Sequence, residues 1–228
     1  EFFELSLVSP LAADRWAVLQ EDWRPGFGSR FSKMFAGWKP PKQKLHLAFQ
    51  FKNEHESHTD NWVVCSTLAA GDSRELAVDP QFRHFAALTP LGSVALHLAR
   101  DGQTALPVDG QDFCCFPVGR ETGLPVHVNG MFVLPRDSKL YHTNPTTDVN
   151  QRVQADWNTC VMANVVESYC DALLEVQTSC IQENPGRLYK YWPQLDPKGN
   201  VKQLVADPLF RLMIDSSVFL TEEGKFDR

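Results

Sequence analysis

Apolar and polar positions alternate with a period of two through much of the first 146 residues and recur at helical spacing beyond them. Phe3, Leu5 and Leu7 alternate with polar neighbours, and Leu45, Leu47, Phe49 and Phe51 do so more clearly, which predicts strands with one apolar face each. Residues 61–67, with Trp62, Val63, Val64 and Cys65, form another β-rich run, and Val94, Leu96 and Leu98 alternate in a further strand. Residues 113–118 and 126–134 complete the series, with turns at Asp101-Gly102, at Asp109-Gly110 and over residues 119–123. Connections this short favour antiparallel pairing over a doubly wound sheet. Residues 73–88 read as partly helical and broken at Asp79-Pro80, because proline lacks the amide donor of a helix interior. Residues 23–41, rich in Pro, Gly, Lys and aromatics, read as a long loop whose rings could cover a core edge.

From Asp148 the period changes. Val149, Val153, Trp157, Val161, Val165, Tyr169, Ala172, Leu173, Val176, Cys180 and Ile181 form a continuous helical stripe. Thr147 or Asp148 can cap its start, and Asn184-Pro185-Gly186 ends it. A second amphipathic segment sets Val201, Leu204, Val205, Leu209, Leu212 and Met213 on one face, with Asp207-Pro208 expected to bend or restart it. The expectation is an α+β fold with a mixed, largely antiparallel sheet, a long packed helix and a small helical C-terminal part. Its strand-rich part is residues 1–146, and its helical part, residues 147–228, packs on the same core.

Composition narrows the function classes. At 228 residues with 43% hydrophobic and 22% charged residues, the chain can bury a substantial core without staples. A net charge of -6 and the lack of clustered Lys and Arg argue against nucleic-acid binding. No apolar run approaches the roughly 20 residues of a membrane span, and the strand-like start predicts a piece of a longer protein. The six cysteines form no C-x-x-C pair, so free cytosolic thiols are expected rather than a zinc site or disulfides. His55, His58 and Asp60 lie in a polar, turn-like run and read as chance clustering, not metal ligands.

Gly123-Leu124-Pro125-Val126-His127-Val128-Asn129-Gly130 carries the candidate chemistry. Val126, Val128 and Phe132 fall on one strand face, His127 and Asn129 on the other, and the Asn-Gly pair predicts a turn that exposes them. Cys114 and Cys115, between Phe113 and Phe116, read as core; the competing reading pairs one of them as a nucleophile with His127. Trp157 belongs to the apolar stripe. Arg152, Asn158 and His127 are expected to hydrogen-bond the helix start to the sheet end.

In order and spacing, the aromatic and Cys-rich strand, the GLPVHVNG strand, the Arg152-x-x-x-x-Trp157-Asn158 helix start and the later Tyr189-Lys190-Tyr191-Trp192-Pro193 resemble the sacsin repeat family. These repeats look like heat-shock chaperones of the ninety-kilodalton class, in which a middle-domain strand leads into a loop whose arginine reaches the terminal phosphate of ATP held by the preceding domain. The resemblance implies a non-catalytic, middle-domain-like module of a giant cytoplasmic chaperone or co-chaperone. Such a module couples an ATPase-like domain to clients and works with the seventy-kilodalton heat-shock system. In neurons the parent would serve proteostasis and the intermediate filaments. The corresponding loop has Arg136 as its arginine, so His127, Asn129 and Arg136 are the interdomain or phosphate-sensing candidates. Gly123, Pro125, Gly130, Arg152, Trp157 and Asn158 complete the motif. Asn129-Gly130-Met131 departs from the "Ser-Arg-Glu" of the chaperone strand. No phosphate-binding glycine loop is present, so ATP and magnesium are implied for the neighbouring domain alone. The rival readings are a pure protein-interaction scaffold and a Cys-dependent hydrolase.

Overall fold

A computed structural model describes residues 4–7, 40, 42–70, 72–79, 89–134, 148–180, 185–194, 201–214, 216, 219–221 and 226–227. Strands β1 (Glu4–Leu7), β2 (Lys42–Lys52) and β3 (Ser57–Leu68) precede a short helix, α1 (Ser73–Val78). Next come β4 (Leu91–Arg100), β5 (Gln103–Thr104), β6 (Gln111–Cys114), β7 (Phe116–Glu121) and β8 (His127–Gly130). These eight strands form one sheet in the order β1-β2-β3-β4-β8-β6-β7, with β5 hydrogen-bonded to β4. Within this sheet β6 and β8 pair in parallel and the other described pairs are antiparallel.

β8 lies between β4 and the β6–β7 hairpin, with Val128 within it and Val126 just before it both buried. The hairpin is left at the sheet edge, where Pro117 removes a donor at little cost. The alternation expected for residues 113–118 is broken at Cys115, whose φ of 61° folds the chain back so that Cys114 faces Phe116. The expected core placement is therefore corrected for Cys115, whereas Cys114 packs against the core. Cys114 is half-buried, Cys115 is exposed, and Phe116 is 79% exposed.

α2 (Val149–Cys180) runs 32 residues across one face of the sheet. Asp148 caps it, its Oδ1 accepting from the Asn150 and Gln151 amides at 2.8 and 3.4 Å. Trp157, Val161, Val165, Tyr169, Leu173 and Val176 join Val63, Cys65, Val94, Leu96 and Val128 in one core. Val149, placed on the stripe by its spacing, is exposed in the first turn. Met162, Val166 and Cys170 are buried as well, so the covered arc is wider than the stripe. The C-terminal part accounts for this. A 3-10 helix (Pro185–Tyr191), a π-helical turn (Lys202–Ala206) and α3 (Asp207–Ile214) bring Leu188, Leu209 and Met213 into the same core. The π-helical turn ends at Asp207-Pro208, where the proline cannot donate to the preceding turn. β9 (Phe219–Leu220) and β10 (Phe226–Asp227) form a separate antiparallel pair.

Polar groups fix the register of helix on sheet. Ser168 donates to the Gly92 carbonyl at 3.0 Å, and the buried Asn164 accepts from the Ala70 amide at 2.5 Å. Lys42 reaches Glu167 and Asp171 of α2 at 2.8 and 3.0 Å. On the other face of the sheet, Leu45, Leu47, Phe49, Trp62 and Val64 line an open apolar groove.

Candidate functional site

The motif strand divides its side chains between the two faces of the sheet. Val126 and Val128 point into the core beneath α2, whereas His127 and Asn129 lie half-buried on the groove side. Gly123, with a φ of 69°, and Pro125 turn the chain from β7 into this strand. The strand ends at Gly130, but the expected Asn-Gly turn toward solvent does not form. Gly130 pairs with Gly92 of β4, and a Cβ there would stand 2.7 Å from the Phe132 ring and from Val161 Cγ1. Glycine is required by this close approach rather than by a turn. The chain continues under α2 instead of leaving it.

Two neighbouring helix residues hold that continuation. Trp157 Nε1 donates to the Met131 carbonyl at 2.8 Å. Asn158 Oδ1 accepts from the Val133 amide at 2.8 Å, and its Nδ2 donates to the Val133 carbonyl at 2.9 Å. Met131 and Val133, outside the β8 ladder, thus keep hydrogen bonds although they run beside a helix. Asn158 ties the helix start to the sheet end. His127 takes no part in that tie, because its Nδ1 accepts from the Gln111 amide of β6 at 3.1 Å. Arg152 is exposed in the first turn of α2, where its amide donates to Asp148. Arg136 lies outside the described residues.

Over 141 residues, covering 59% of the chain, the sequence is 28% identical to human sacsin. The chain is a distant relative of a sacsin segment. It spans about 3% of the length of sacsin. No family model matches the chain, and no solved structure matches it.

In this sacsin-related segment the groove side of the motif strand is an aromatic and imidazole array. His127 stacks on Trp62 with ring centroids 5.6 Å apart and meets Phe113 edge-on at 5.5 Å. Trp62 in turn stacks on His97 at 4.6 Å. Asp60 anchors the far end, accepting from Arg100 Nε at 2.8 Å and lying 2.9 Å from His97 Nε2. Burial alone would raise the Asp60 pKa, but hydrogen bonds from Arg100 and His97 hold it below the usual carboxylate range. Burial lowers the His127 pKa, and the charge of nearby His97 lowers it further.

Sequence reading missed this array, because Trp62 and His97 meet only through the β3–β4 register. The one available signal was the alternation of His58, Asp60 and Trp62 along β3. His55 is set apart in the turn after β2, its amide bonded to Asn53. Among the described residues no group of three His, Cys, Asp or Glu is placed to hold a metal ion.

Among the described residues, Cys114 and Cys115 are each engaged away from His127. Cys114 Sγ is directed at the Phe132 carbonyl at 3.4 Å, and burial pushes its pKa up. Cys115 Sγ contacts Met131 Sδ at 3.7 Å. The His127 Nδ1 lone pair that a general base would use is taken by Gln111. Among the described residues no helix is long and apolar enough to cross a membrane.

Proposed function

We propose that this chain is a non-catalytic, middle-domain-like module of a giant chaperone or co-chaperone, linking an ATPase-like domain to client or partner binding in protein quality control. The observation that carries the reading is the motif strand: the chain leaving it is held to α2 by Trp157 and Asn158, while its side away from α2 offers His127 and Asn129. A strand fixed in this way can transmit the position of a neighbouring domain without local rearrangement. The relationship to sacsin supports the same reading and its placement in the cytoplasm, acting with the seventy-kilodalton heat-shock system and the intermediate filaments of neurons. ATP and magnesium belong to the neighbouring domain in this scheme, and Arg136 is its phosphate sensor.

A protein carrying both domains tests the coupling. Arg136→Ala is expected to change nucleotide affinity or turnover while the protein stays folded. Unchanged nucleotide behaviour in the folded variant would remove the phosphate-sensing role.

A second reading, an interaction scaffold without nucleotide coupling, is favoured by the apolar groove and by exposed Leu106 and Phe116. The two differ in that test, since a scaffold leaves turnover unaffected. The thiolate hydrolase is the weakest reading, given the raised Cys114 pKa and the Gln111 bond to His127.

A further inference from the structure

We propose that the groove on the sheet face opposite α2 binds an extended apolar peptide segment, with His127 Nε2 and Asn129 Nδ2 donating to alternate backbone carbonyls of that segment. The floor is apolar: Leu45, Leu47, Phe49, Trp62 and Val64 lie across β2 and β3. The cavity holds about 600 Å³, within the size range of ligand clefts. A floor of this kind stabilises a ligand that brings apolar side chains.

The wall decides what else the ligand must carry. A backbone amide can only donate, so the 3.1 Å bond from Gln111 to His127 Nδ1 makes that nitrogen the acceptor and puts the proton of the neutral ring on Nε2. Nε2 lies across the ring from β6 and is a donor. The same argument holds for Asn129. Its Oδ1 accepts from the Cys115 amide at 3.0 Å, which leaves Nδ2 with two protons to give. Neither donor has a hydrogen-bond partner among the described residues. The β6–β7 hairpin has thus consumed both acceptors and left both donors on a groove wall.

Spacing then selects among acceptor-bearing ligands. His127 and Asn129 are two residues apart on one strand, a rise of about 6.6 Å. Alternate carbonyls of an extended peptide repeat at that distance, whereas the two oxygens of a carboxylate share one carbon and fall far short of it. A bare hydrocarbon leaves both donors unpaired. A cation meets two donors and no acceptor.

The inference rests on reading the chain as a binding module, yet it needs no ATPase-like domain. Its test therefore fails independently of the coupling test above. A fluorescein-labelled, uncharged hexapeptide of Leu, Val and Ala, flanked by Ser, is titrated into the whole chain and followed by anisotropy. Saturable binding is expected. Asn129→Asp keeps an oxygen for the Cys115 amide but replaces the donor by an acceptor, and it should weaken binding at least tenfold. Leu47→Lys, on the floor, should do the same. A peptide whose alternate amides are replaced by alkene isosteres should bind the unaltered chain at least tenfold more weakly, a readout that no folding defect can imitate. Absence of saturable binding would overturn the proposal. So would equal binding of the alkene peptide, or full displacement by dodecanoate with no effect of Asn129→Asp, which would assign the groove to an acyl chain.

Discussion

Asn158 hydrogen-bonds both the amide and the carbonyl of Val133 through one side chain, the role that a neighbouring strand plays within a sheet. Trp157 supports it with the bond to Met131 and with a large ring that is 1% exposed. Trp157→Ala should therefore cost roughly 3–5 kcal/mol, the usual range for emptying an aromatic site. Trp157→Phe retains most of the packing and should cost about 1–3 kcal/mol for the unpaired Met131 carbonyl. Urea melts of the two variants check both the size and the order of these losses. His127 offers a test by pH. Burial and the His97 charge hold its folded pKa below the ordinary histidine value. As pH falls, the unfolded chain takes up the proton first, at about 6.5. The stabilisation due to neutral His127 is thus complete above that pH and is lost as pH falls through the folded value. Histidine-resolved NMR should find its midpoint below about 6.5, and protonation should weaken the bond from Gln111.

At the scale of elements, the approach of α2 to the sheet is set by two paired glycines, Gly92 of β4 and Gly130 of β8. A Cβ on Gly92 would stand 2.4 Å from the Val165 amide nitrogen and 2.7 Å from the Asn164 carbonyl carbon, both backbone atoms of the helix. At Gly130 it would meet side chains, the Phe132 ring and Val161 Cγ1. Side chains can turn aside, but a helix axis must shift as a unit. Gly130→Ala is accordingly expected to cost about 1–3 kcal/mol and Gly92→Ala more than that. Denaturant midpoints of the two variants give the comparison, and a Gly92 variant as stable as the Gly130 variant would show that α2 is less tightly seated. The helix itself is covered on a wide arc. Its 162, 166 and 170 positions are buried in addition to the stripe, and the Cys170 thiol lies 3.8 Å from Ser216 Oγ.

For the molecule as a whole, the two faces of one sheet have different fates. One face is sealed by α2 into a core that continues into the C-terminal part, and the other carries the groove. A net charge of -6 works against binding a polyanionic nucleotide. Calorimetric titration of this chain with Mg-ATP is expected to show no binding. Micromolar affinity would place the nucleotide site on this chain and end the coupling scheme.

Element type was legible in the sequence wherever burial is one-sided. The period-two runs of β2 and the helical stripe of α2 are each set by a local rule, since a strand or helix must turn its apolar positions to a single side. Asp148 likewise marks the start of α2 through its side-chain cap, and Pro208 marks the change from π-helical turn to α3 through its missing amide donor. The local rule cannot say which side of the sheet an apolar face meets. Leu45, Leu47 and Phe49 alternate as predicted, yet they line the groove rather than the α2 core. Nor can local chemistry distinguish a glycine needed for a turn from one needed for close approach, and Gly130 proved to be the second kind. Aromatic neighbours give Cys115 the pattern of a buried residue, but the reversal at a positive φ puts it outside. The stacking of His127, Trp62 and His97 joins three strands that are distant in the chain. Local spacing determined the elements and their faces. Strand order, register and the seating of α2 were decided by which surfaces could be buried together, a property of the assembled sheet that no single segment carries.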